Sequence, residues 1–303
     1  MTFVEGPVRV DVPATSANLG PGFDSLGLAL ELRDRLEAEV TGAGLVVEVT
    51  GHGADTVPRD ESHLVVRSVR AGLEALGETL PGLRLSCHNA IPHARGLGSS
   101  SAAIVGGLAL ARALVENGTE RFDDQALFRL AAQLEGHPDN VAPAAYGGFV
   151  ISGRESGEWY AVRAPVDRRV VAAAFVPPNP LSTEVARGLL PGTVTHADAA
   201  ADAGRTALLV AALGGAPEHL LTATRDFLHQ EQRRPAMPES LDLVDRLRAD
   251  GHAAVVSGAG PTVLVLADST TVSAGELAAS CPHGWEHHVL LVADEGVRSE
   301  SSR

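Results

Sequence analysis

The sequence contains no lysine, and all 24 basic residues among its 303 positions are arginines. This absence excludes several classes of enzyme. A Walker A loop needs its lysine, pyridoxal phosphate and Schiff-base enzymes need an amine, and protein kinases place a strand lysine against the phosphates. If the protein transfers phosphate, backbone amides, a metal ion and arginine must stabilise the charge.

Positive charge is scarce overall, because 38 acidic residues outnumber the basic ones and give a formal net charge of -14. Such an acidic surface repels phosphate backbones and argues against binding of nucleic acid or an anionic membrane. Only two cysteines are present, Cys87 and Cys281, which does not indicate a disulfide framework. We find no apolar run long enough for a membrane span and no secretory leader pattern, so we expect a cytoplasmic protein.

Periodic segments along the chain predict a mixture of strands and helices, and we therefore expect an α+β fold. The length suggests about two domains, and the composition changes near residues 153–166. We predict an N-terminal domain of residues 1–160 and a C-terminal domain of residues 161–303. We also expect irregular backbone at 136–143 because of its prolines, a loop between strands near 147–152, and a frayed polar tail at 298–303.

Residues 92–102, called the phosphate loop below, combine glycine and serine directly before a run of small residues with helical spacing. Glycines let the backbone approach a ligand closely, and N–H groups at a helix N-terminus favour an anion without any lysine. A serine-capped helix packed through small residues would give the same pattern. The candidate phosphate contacts are Pro92, His93, Ala94, Arg95, Gly96, Leu97, Gly98, Ser99, Ser100, Ser101 and Ala102.

Oxygen ligands follow the next predicted helix, where Glu135 precedes the pair Asp139 and Asn140. Magnesium in proteins is usually held by one or two carboxylates together with substrate phosphate, and Ser100 could add a hydroxyl ligand. These residues form a candidate Mg²⁺ site. The same pattern also fits an exposed helix glutamate followed by an ordinary turn, and His137 fits a loop residue that only packs.

Further candidates lie around two other glycine-containing segments. Asn18 and Asp24 flank a bend at residues 20–22, where a turn could direct both side chains into one pocket. Small residues at 257–262 interrupt two predicted strands and would let the backbone pass close to a ligand, or simply form a tight hairpin. Arg187 and Arg233 are candidates for a bidentate grip on a carboxylate, unless they are solvated surface arginines.

Taken in order, these segments resemble the three motifs of the GHMP kinase superfamily. The motifs are an N-terminal substrate loop, a Pro-x-x-x-Gly-Leu-Gly-Ser-Ser phosphate loop and a C-terminal Gly-x-Gly-Pro-Thr loop. Within the superfamily, four segments resemble the homoserine kinase family. They are Pro-Ala-Thr-Ser-Ala-Asn-Leu-Gly-Pro-Gly-Phe-Asp at 13–24, His-Pro-Asp-Asn-Val-Ala-Pro at 137–143, Ser-Thr-Glu-Val-Ala-Arg at 182–187 and Leu-His-Gln-Glu-Gln-Arg at 228–233.

The resemblance implies a two-domain α+β fold with a left-handed βαβ crossover in the nucleotide-binding domain and a ferredoxin-like C-terminal domain. It implies ATP and Mg²⁺ as cofactors and L-homoserine as the small-molecule substrate, whose phosphorylated product serves threonine biosynthesis. A homodimer is also expected from the family.

Three other functions compete with this one. A dinucleotide-binding oxidoreductase fits poorly, because serines follow the Gly-Leu-Gly of the phosphate loop. A GHMP kinase for another alcohol, such as mevalonate or a sugar, and a catalytically silent nucleotide-binding regulator of the same fold remain the alternatives.

Carried over position by position, the resemblance assigns residues to each task. The phosphate loop would wrap the phosphates, Ser100 and Glu135 would hold the metal, and Ser62 would border the adenine. The catalytic candidates are Asp24, Glu135, Asp139 and Asn140, with no base assigned among them. The amino-acid pocket would contain Asn18, Asp24, His137, Asp139, Asn140, Arg187, Arg233, Gly258 and Gly260.

The segment at 230–232 departs from the family, which more often has Glu-Pro-Tyr before the arginine where this chain has Gln-Glu-Gln. This departure leaves Arg234 as an alternative to Arg233 for binding the carboxylate, and we favour Arg233.

Overall fold

The structure, a computed structural model that describes residues 3–301, contains two β-sheets with helices packed against them. The strands are β1 Val8–Asn18, β2 Gly22–Val40, β3 Gly44–Gly51, β4 Gly82–Asn89, β5 Phe149–Glu155, β6 Glu158–Ala164, β7 Val170–Val176, β8 Ala253–Val256, β9 Val263–Asp268, β10 Glu286–Leu291 and β11 Arg298–Ser301. The helices are α1 Leu64–Leu76, α2 Ser99–Leu114, α3 Gly118–Arg121, α4 Asp124–Glu135, α5 Val141–Tyr146, α6 Thr183–Gly188, α7 His196–Gly215, α8 Leu220–Ala223, α9 Pro238–Ala249 and α10 Ala274–Ala279, with 3-10 helices at Pro217–His219 and Glu231–Ala236.

The N-terminal sheet is built on the long antiparallel pair β1 and β2. Its strand order is β11-β1-β2-β4-β3, and the hairpin of β5 and β6 joins it through β2. The first residues of β1 alternate between buried valines and partly exposed polar residues, which is the period of a strand with one face on the core. β3 pairs in parallel with β4, and α1 connects them, so these elements form the βαβ unit of this sheet.

The C-terminal sheet has four antiparallel strands in the order β10-β7-β9-β8. Numbered along the chain, these strands lie in the spatial order 4-1-3-2, and helices follow the first and third of them. This βαββαβ arrangement is the ferredoxin-like topology. The α+β prediction is confirmed.

The last described strand returns to the first sheet. β11 pairs with the outer edge of β1, for example at Glu300 opposite Arg9, and satisfies backbone groups that would otherwise face solvent. The expectation of a frayed tail is therefore wrong for residues 298–301, while residues 302–303 lie outside the described range. The predicted division at residue 160 falls within β6, which pairs with β5, and it stays a prediction of the sequence.

Two other local expectations are corrected by the structure. Helix α5 begins at Val141 inside the segment expected to be irregular, and Pro143 is its third residue. Proline is tolerated there because the first-turn N–H groups of a helix have no intrahelical partner. The segment near 147–152 is not a loop between strands: β5 follows α5 directly, and the turn that joins two strands lies between β5 and β6.

Helix α2 lies at the centre of the N-terminal domain, with most of its side chains buried. Its small residues allow close packing on both sides. A Cβ added at Gly107 would collide with Ser68 of α1 and lie 2.8 Å from the carbonyl oxygen of Val65, while one at Gly106 would meet Leu36 and Val12 of the sheet. This packing fixes the axis of α2 and so aims its N-terminus at the gap between the two sheets.

Within residues 3–301, no helix is both long and apolar enough to cross a membrane.

Replacing Gly107 by alanine is expected to lower the free energy of unfolding by about 1–3 kcal/mol, because the added methyl overpacks the contact with α1. This loss should occur although alanine is the better helix former. The matched control is Gly204→Ala in α7, where the added methyl would meet no atom within 4 Å beyond its own turn of helix, and stability should rise by about 0.5–1 kcal/mol. Urea unfolding measures both, and equal stabilities would contradict the tight packing.

Candidate active site

The phosphate loop leads into the N-terminus of α2 through Gly98, which has a left-handed backbone (φ 71°) and no side chain to cap the helix. A Cβ at this position would also collide with the hydroxyl of Thr15. Because no cap occupies the first turn, the N–H groups at the start of α2 remain available for an anion. Ser99, Ser100 and Ser101 are the first three residues of this helix.

The carbonyl groups of the phosphate loop are bound by other parts of the chain. The carbonyl of Ala94 accepts from Leu181 N at 3.1 Å, and that of Arg95 accepts from Thr262 N at 3.1 Å. The next two carbonyls accept from Ser257 Oγ at 2.6 Å and from Thr15 N at 3.1 Å. These bonds connect the loop to both sheets.

A cavity of about 250 Å³ opens at this helix end and is lined mainly by helix and loop residues from both halves of the chain. The predicted site residues that line it are Asn18, Ala94, Gly96, Gly98, Ser99, Ser100, Ser101, Glu135, His137, Asp139, Asn140, Arg187, Arg233 and Gly258. Leu181 lines it as well, as do Ser182, Thr183 and Ala259, which lie within the segments 182–187 and 257–262 but were not predicted as site residues.

Glu135, the last residue of α4, reaches the first turn of α2. Its carboxylate accepts hydrogen bonds from Ser100 Oγ at 2.9 Å and Ser101 Oγ at 3.0 Å. Carboxylate and hydroxyl oxygens suit Mg²⁺, which takes part of its coordination from water and substrate phosphate. In the described part of the chain, no group of three His, Cys, Asp or Glu residues is placed to hold a metal ion by itself. The residues present therefore fit a metal shared with phosphate.

His137 and Asp139 form a hydrogen-bonded pair at the cavity wall, with His137 Nδ1 3.0 Å from Asp139 Oδ1. Asp139 also accepts from the backbone N–H of Asn140 at 3.1 Å. Burial alone lowers the pKa of His137, but the Asp139 bond and the charges of Asp139 and Glu135 outweigh it and raise the pKa above its usual value. The imidazole of His137, which is more easily protonated than usual, therefore lies beside the buried carboxylate of Asp139.

Asn18 fixes the bend of the N-terminal loop. Its side-chain Nδ2 donates to the carbonyl of Gly258 at 2.8 Å, and its Oδ1 accepts from the backbone N–H of Asp24 at 2.9 Å. Asn18 and Asp24 both have positive φ values, 67° and 53°, which Asn and Asp tolerate better than most residues. The amide of Asn18 thus ties this loop to the hairpin between β8 and β9.

Asp24 does not line the cavity itself but binds a residue that does. Its carboxylate accepts two hydrogen bonds from Arg187, at 2.6 and 3.0 Å, across the gap between β2 and α6. This bidentate bond raises the pKa of Arg187 against the opposing effect of burial. The predicted polar residues Asp24 and Arg187 are therefore brought together as an ion pair.

The side chain of Arg233 lies at the cavity, whereas that of its neighbour Arg234 lies among surface carboxylates. Arg233 is 1% exposed and lines the cavity, and its burial, together with the nearby charge of Arg187, lowers its pKa to about 10. It remains protonated at neutral pH. Arg234 binds the carboxylates of Glu231, Asp242 and Asp245 at 2.7, 3.0 and 2.8 Å on the outer side of the 3-10 helix.

A second cavity, of about 280 Å³, shares Ser99 and Ser100 with the first. Ser62 lines it, as do His63 and Asn89, and the apolar side chains of Val57 and Leu64 give it a partly hydrophobic wall. Burial lowers the pKa of His63, so its ring is neutral near pH 7. An apolar wall with a few polar groups is the usual form of a site for a planar ring.

Other residues of the phosphate loop lie outside the first cavity. Leu97 is fully buried in the core. Pro92 and His93 line a third cavity of about 570 Å³, and His93 also lines the second cavity. The guanidinium of Arg95 donates to the carbonyls of Pro177, Pro178 and His93. Its donors are thus directed at backbone oxygens between the sheets. Ala102 is buried in α2, and the backbone of Gly260 packs against Met237.

Two buried residues support the site although the sequence analysis missed them. Thr15 donates its hydroxyl to Asn140 Oδ1 at 2.9 Å and so orients that side chain. Asp34 Oδ1 accepts from the backbone N–H groups of Ala90 and Ile91, at 2.7 and 2.8 Å, directly before the phosphate loop. Thr15 lies within the N-terminal motif, whereas nothing near Asp34 in the sequence signals its role.

The fold and this site define a GHMP kinase. The family model of the GHMP kinases N terminal domain matches residues 63–148, and that of the GHMP kinases C terminal domain matches residues 209–281. Among curated relatives, homoserine kinase from Streptomyces coelicolor is 56% identical over 97% of this chain and 95% of its own length. Homoserine kinase from Clavibacter michiganensis is 50% identical over 95% of this chain and 92% of its own length. The chain belongs to the homoserine kinase family.

Solved structures agree with this assignment. The crystal structure of homoserine kinase from Cytophaga hutchinsonii has a TM-score of 0.86 and 26% identity, with 99% of both chains covered. Mevalonate kinase from L. major, solved with R-mevalonate, has a TM-score of 0.70 at 18% identity over 96% of both chains, which shows the shared fold alone.

The buried Asp34 predicts a pH dependence of stability. Burial raises its pKa from 3.8 to about 6, although two backbone N–H bonds oppose the shift. The folded state therefore binds the proton more tightly than the unfolded state, so stability falls as the pH rises from about 4 to about 6. A shift of about 2 units corresponds to a loss of up to about 3 kcal/mol.

Asp34→Asn should remove this part of the pH profile, because an amide oxygen can accept the same two N–H bonds without a charge. Urea unfolding of both proteins between pH 4 and 7 provides the measurement. Parallel profiles for Asp34→Asn and the unmodified protein would contradict the prediction.

Proposed function

We propose that this protein catalyses ATP-dependent phosphorylation of the side-chain hydroxyl of L-homoserine to give O-phospho-L-homoserine, a step of threonine biosynthesis. The observation that carries the proposal is the single cavity in which the open N-terminus of α2 faces two arginines, the buried carboxylate of Asp139 and the partly exposed one of Glu135. The first feature suits phosphate, and the second suits an amino acid.

The amino acid is held by groups of opposite charge at its two ends. Arg233 and Arg187 supply the cations for the α-carboxylate, and planar guanidinium groups match a carboxylate in a bidentate manner. Asp139 lines the cavity and supplies an acceptor for the ammonium or the hydroxyl group, while Asp24 acts on the pocket through its ion pair with Arg187. Asn18, His137, Asn140 and the backbone at Gly258 complete the pocket, partly by orienting these charged residues, and Gly260 lies beside it in the same hairpin.

ATP places its phosphates at the N-terminus of α2 and its adenine in the second cavity beside Ser62. Ser100 and Glu135 would hold Mg²⁺, and their 2.9 Å contact supports a shared ligand role. When bound, Mg²⁺ would neutralise phosphate charge during transfer. The backbone amides and hydroxyls of the loop supply the stabilisation for which other kinases use a lysine.

Catalysis proceeds by positioning and electrostatic stabilisation, the main contributions in phosphoryl transfer. Asp24 is engaged by Arg187 and Asp139 by His137, so each carboxylate is fixed in place to orient the substrate. Thr15 orients Asn140 from the opposite side. No residue is assigned as a base. A cytoplasmic location and a homodimer stay predictions from the sequence and the family.

The direct test is ADP release with L-homoserine, measured with and without Mg²⁺, beside mevalonate and a sugar panel. We expect turnover only with homoserine and only when Mg²⁺ is present. Turnover with another alcohol would replace the substrate assignment, and ATP binding without turnover of any alcohol would favour a regulator.

Glu135→Gln is expected to lower kcat at saturating ATP by about 100-fold or more, because a neutral amide holds Mg²⁺ less tightly than a carboxylate and the metal supplies several kcal/mol of stabilisation. The apparent requirement for Mg²⁺ should also shift to higher concentration. The control is Glu155→Gln, an exposed glutamate at the end of β5, which should keep normal turnover. Normal magnesium dependence in Glu135→Gln would exclude the metal assignment.

Arg233→Met is expected to raise the KM for homoserine by about 10- to 100-fold, the usual effect of losing hydrogen bonds to a charged group. The KM for ATP should change little. Arg234→Met is the matched control, since Arg234 binds surface carboxylates and should leave both constants within about twofold. A larger effect at Arg234 would reverse the choice between the two arginines.

A further inference from the structure

We propose that His229 is a positioning residue that holds the guanidinium of Arg233 in the orientation needed to bind the substrate carboxylate. The proposal rests on the proposed function, in which Arg233 binds that carboxylate. His229 does not line the cavity and has no assigned role. Its side chain is fully buried behind Arg233.

The hydrogen bonds of His229 define its protonation state. Its Nδ1 lies 3.0 Å from Arg233 Nη1, and its Nε2 lies 2.8 Å from the carbonyl oxygen of Gly20. A guanidinium can only donate, so Nδ1 must accept, and the ring proton must reside on Nε2, where it is donated to Gly20. The ring is therefore neutral, and it ties Arg233 to the N-terminal substrate loop.

These bonds occupy one side of the Arg233 guanidinium, and its other edge has no described hydrogen-bond partner. Nη1 donates to His229 and also to the carbonyl of Gly258 at 3.1 Å, so both of its hydrogens are used. Among the described residues, the buried Nε of Arg233 has no hydrogen-bond partner. The Nε and Nη2 donors form the edge that binds a carboxylate in a bidentate manner. His229 selects this edge by occupying the opposite one.

Aromatic packing holds the same arrangement in place. The ring of Phe23 stacks on His229 with centroids 5.0 Å apart, and the guanidinium of Arg233 lies 5.5 Å from the Phe23 centroid. Arg187 lies 5.6 Å from the same ring. Asp226 holds the backbone that carries His229. Its carboxylate accepts hydrogen bonds from the backbone N–H groups of residues 228–230 and lies 3.5 Å from Nε2 of His229.

The test compares two substrates that differ only in the carboxylate, L-homoserine and 3-aminopropan-1-ol. His229→Leu removes the acceptor for Arg233 and should lower kcat/KM for homoserine by roughly 10- to 100-fold, while changing that for the amino alcohol by less than about threefold. His229→Asn restores an oxygen near the position of Nδ1 and should recover most of the loss. Where turnover of the amino alcohol is too slow, its inhibition constant against homoserine takes the place of kcat/KM.

Each outcome decides the proposal. An equal loss with both substrates in His229→Leu, or no recovery in His229→Asn, would show that His229 only supports the fold. An unchanged KM for ATP and a cooperative unfolding transition above the assay temperature establish that His229→Asn is folded, although loss of the bond to Gly20 lowers its melting temperature. Arg233→Met separates the two hypotheses: a loss selective for homoserine in this variant but not in His229→Leu would overturn the role of His229 alone. No selective loss in Arg233→Met would overturn the carboxylate site itself.

Discussion

The site depends on the hydrogen bonds that turn the carbonyl groups of residues 94–97 away from the cavity. Each of these four carbonyls accepts a hydrogen bond from another segment, two of them from the N–H groups of Leu181 and Thr262 in the C-terminal domain. Carbonyl oxygens left facing the cavity would repel phosphate. With the oxygens bound elsewhere, the N–H groups and the dipole of α2 determine the potential at its N-terminus.

The same bonds bring the residues proposed to bind the nucleotide close to those proposed to bind the amino acid, although the two sets are distant in the sequence. Leu181 precedes α6, which carries Arg187, and Ser257 and Gly258 belong to the hairpin that contacts both the phosphate loop and Asn18. A protein without lysine has no side-chain ammonium group to bring to the phosphates, and the two arginines that line the cavity belong to the proposed amino-acid pocket. It must bring a helix end, a carboxylate and two hydroxyls to one place, and both sheets contribute to that arrangement.

Sequence patterns predicted the parts of the site whose chemistry is local. Glycine and serine before a helix, and Asn or Asp beside a bend, have properties that depend mainly on neighbouring residues. The side chain of Arg95 could not be predicted in this way, because its acceptors at Pro177 and Pro178 are distant in sequence. Thr15 and Asn140 are likewise 125 residues apart.

The corrections to the fold have the same physical origin. The polar tail has too few apolar residues to signal a strand, and it becomes one because the edge of β1 offers unpaired backbone groups. A proline disrupts the interior of a helix but is tolerated in its first turn. Pro143 lies in the first turn of α5, and the sequence alone does not show where that helix begins.

The two arginines of the pocket differ in what balances their charge, and this difference assigns their roles. Arg187 already has a carboxylate partner in Asp24, with two hydrogen bonds. The described hydrogen-bond partners of Arg233 are neutral, a histidine ring nitrogen and a backbone carbonyl. A buried cation whose hydrogen bonds go only to neutral groups is costly in the empty pocket, and a substrate carboxylate reduces that cost. Arg233 therefore provides the principal attraction for the carboxylate, and Arg187 mainly fixes Asp24 and the loop that carries it.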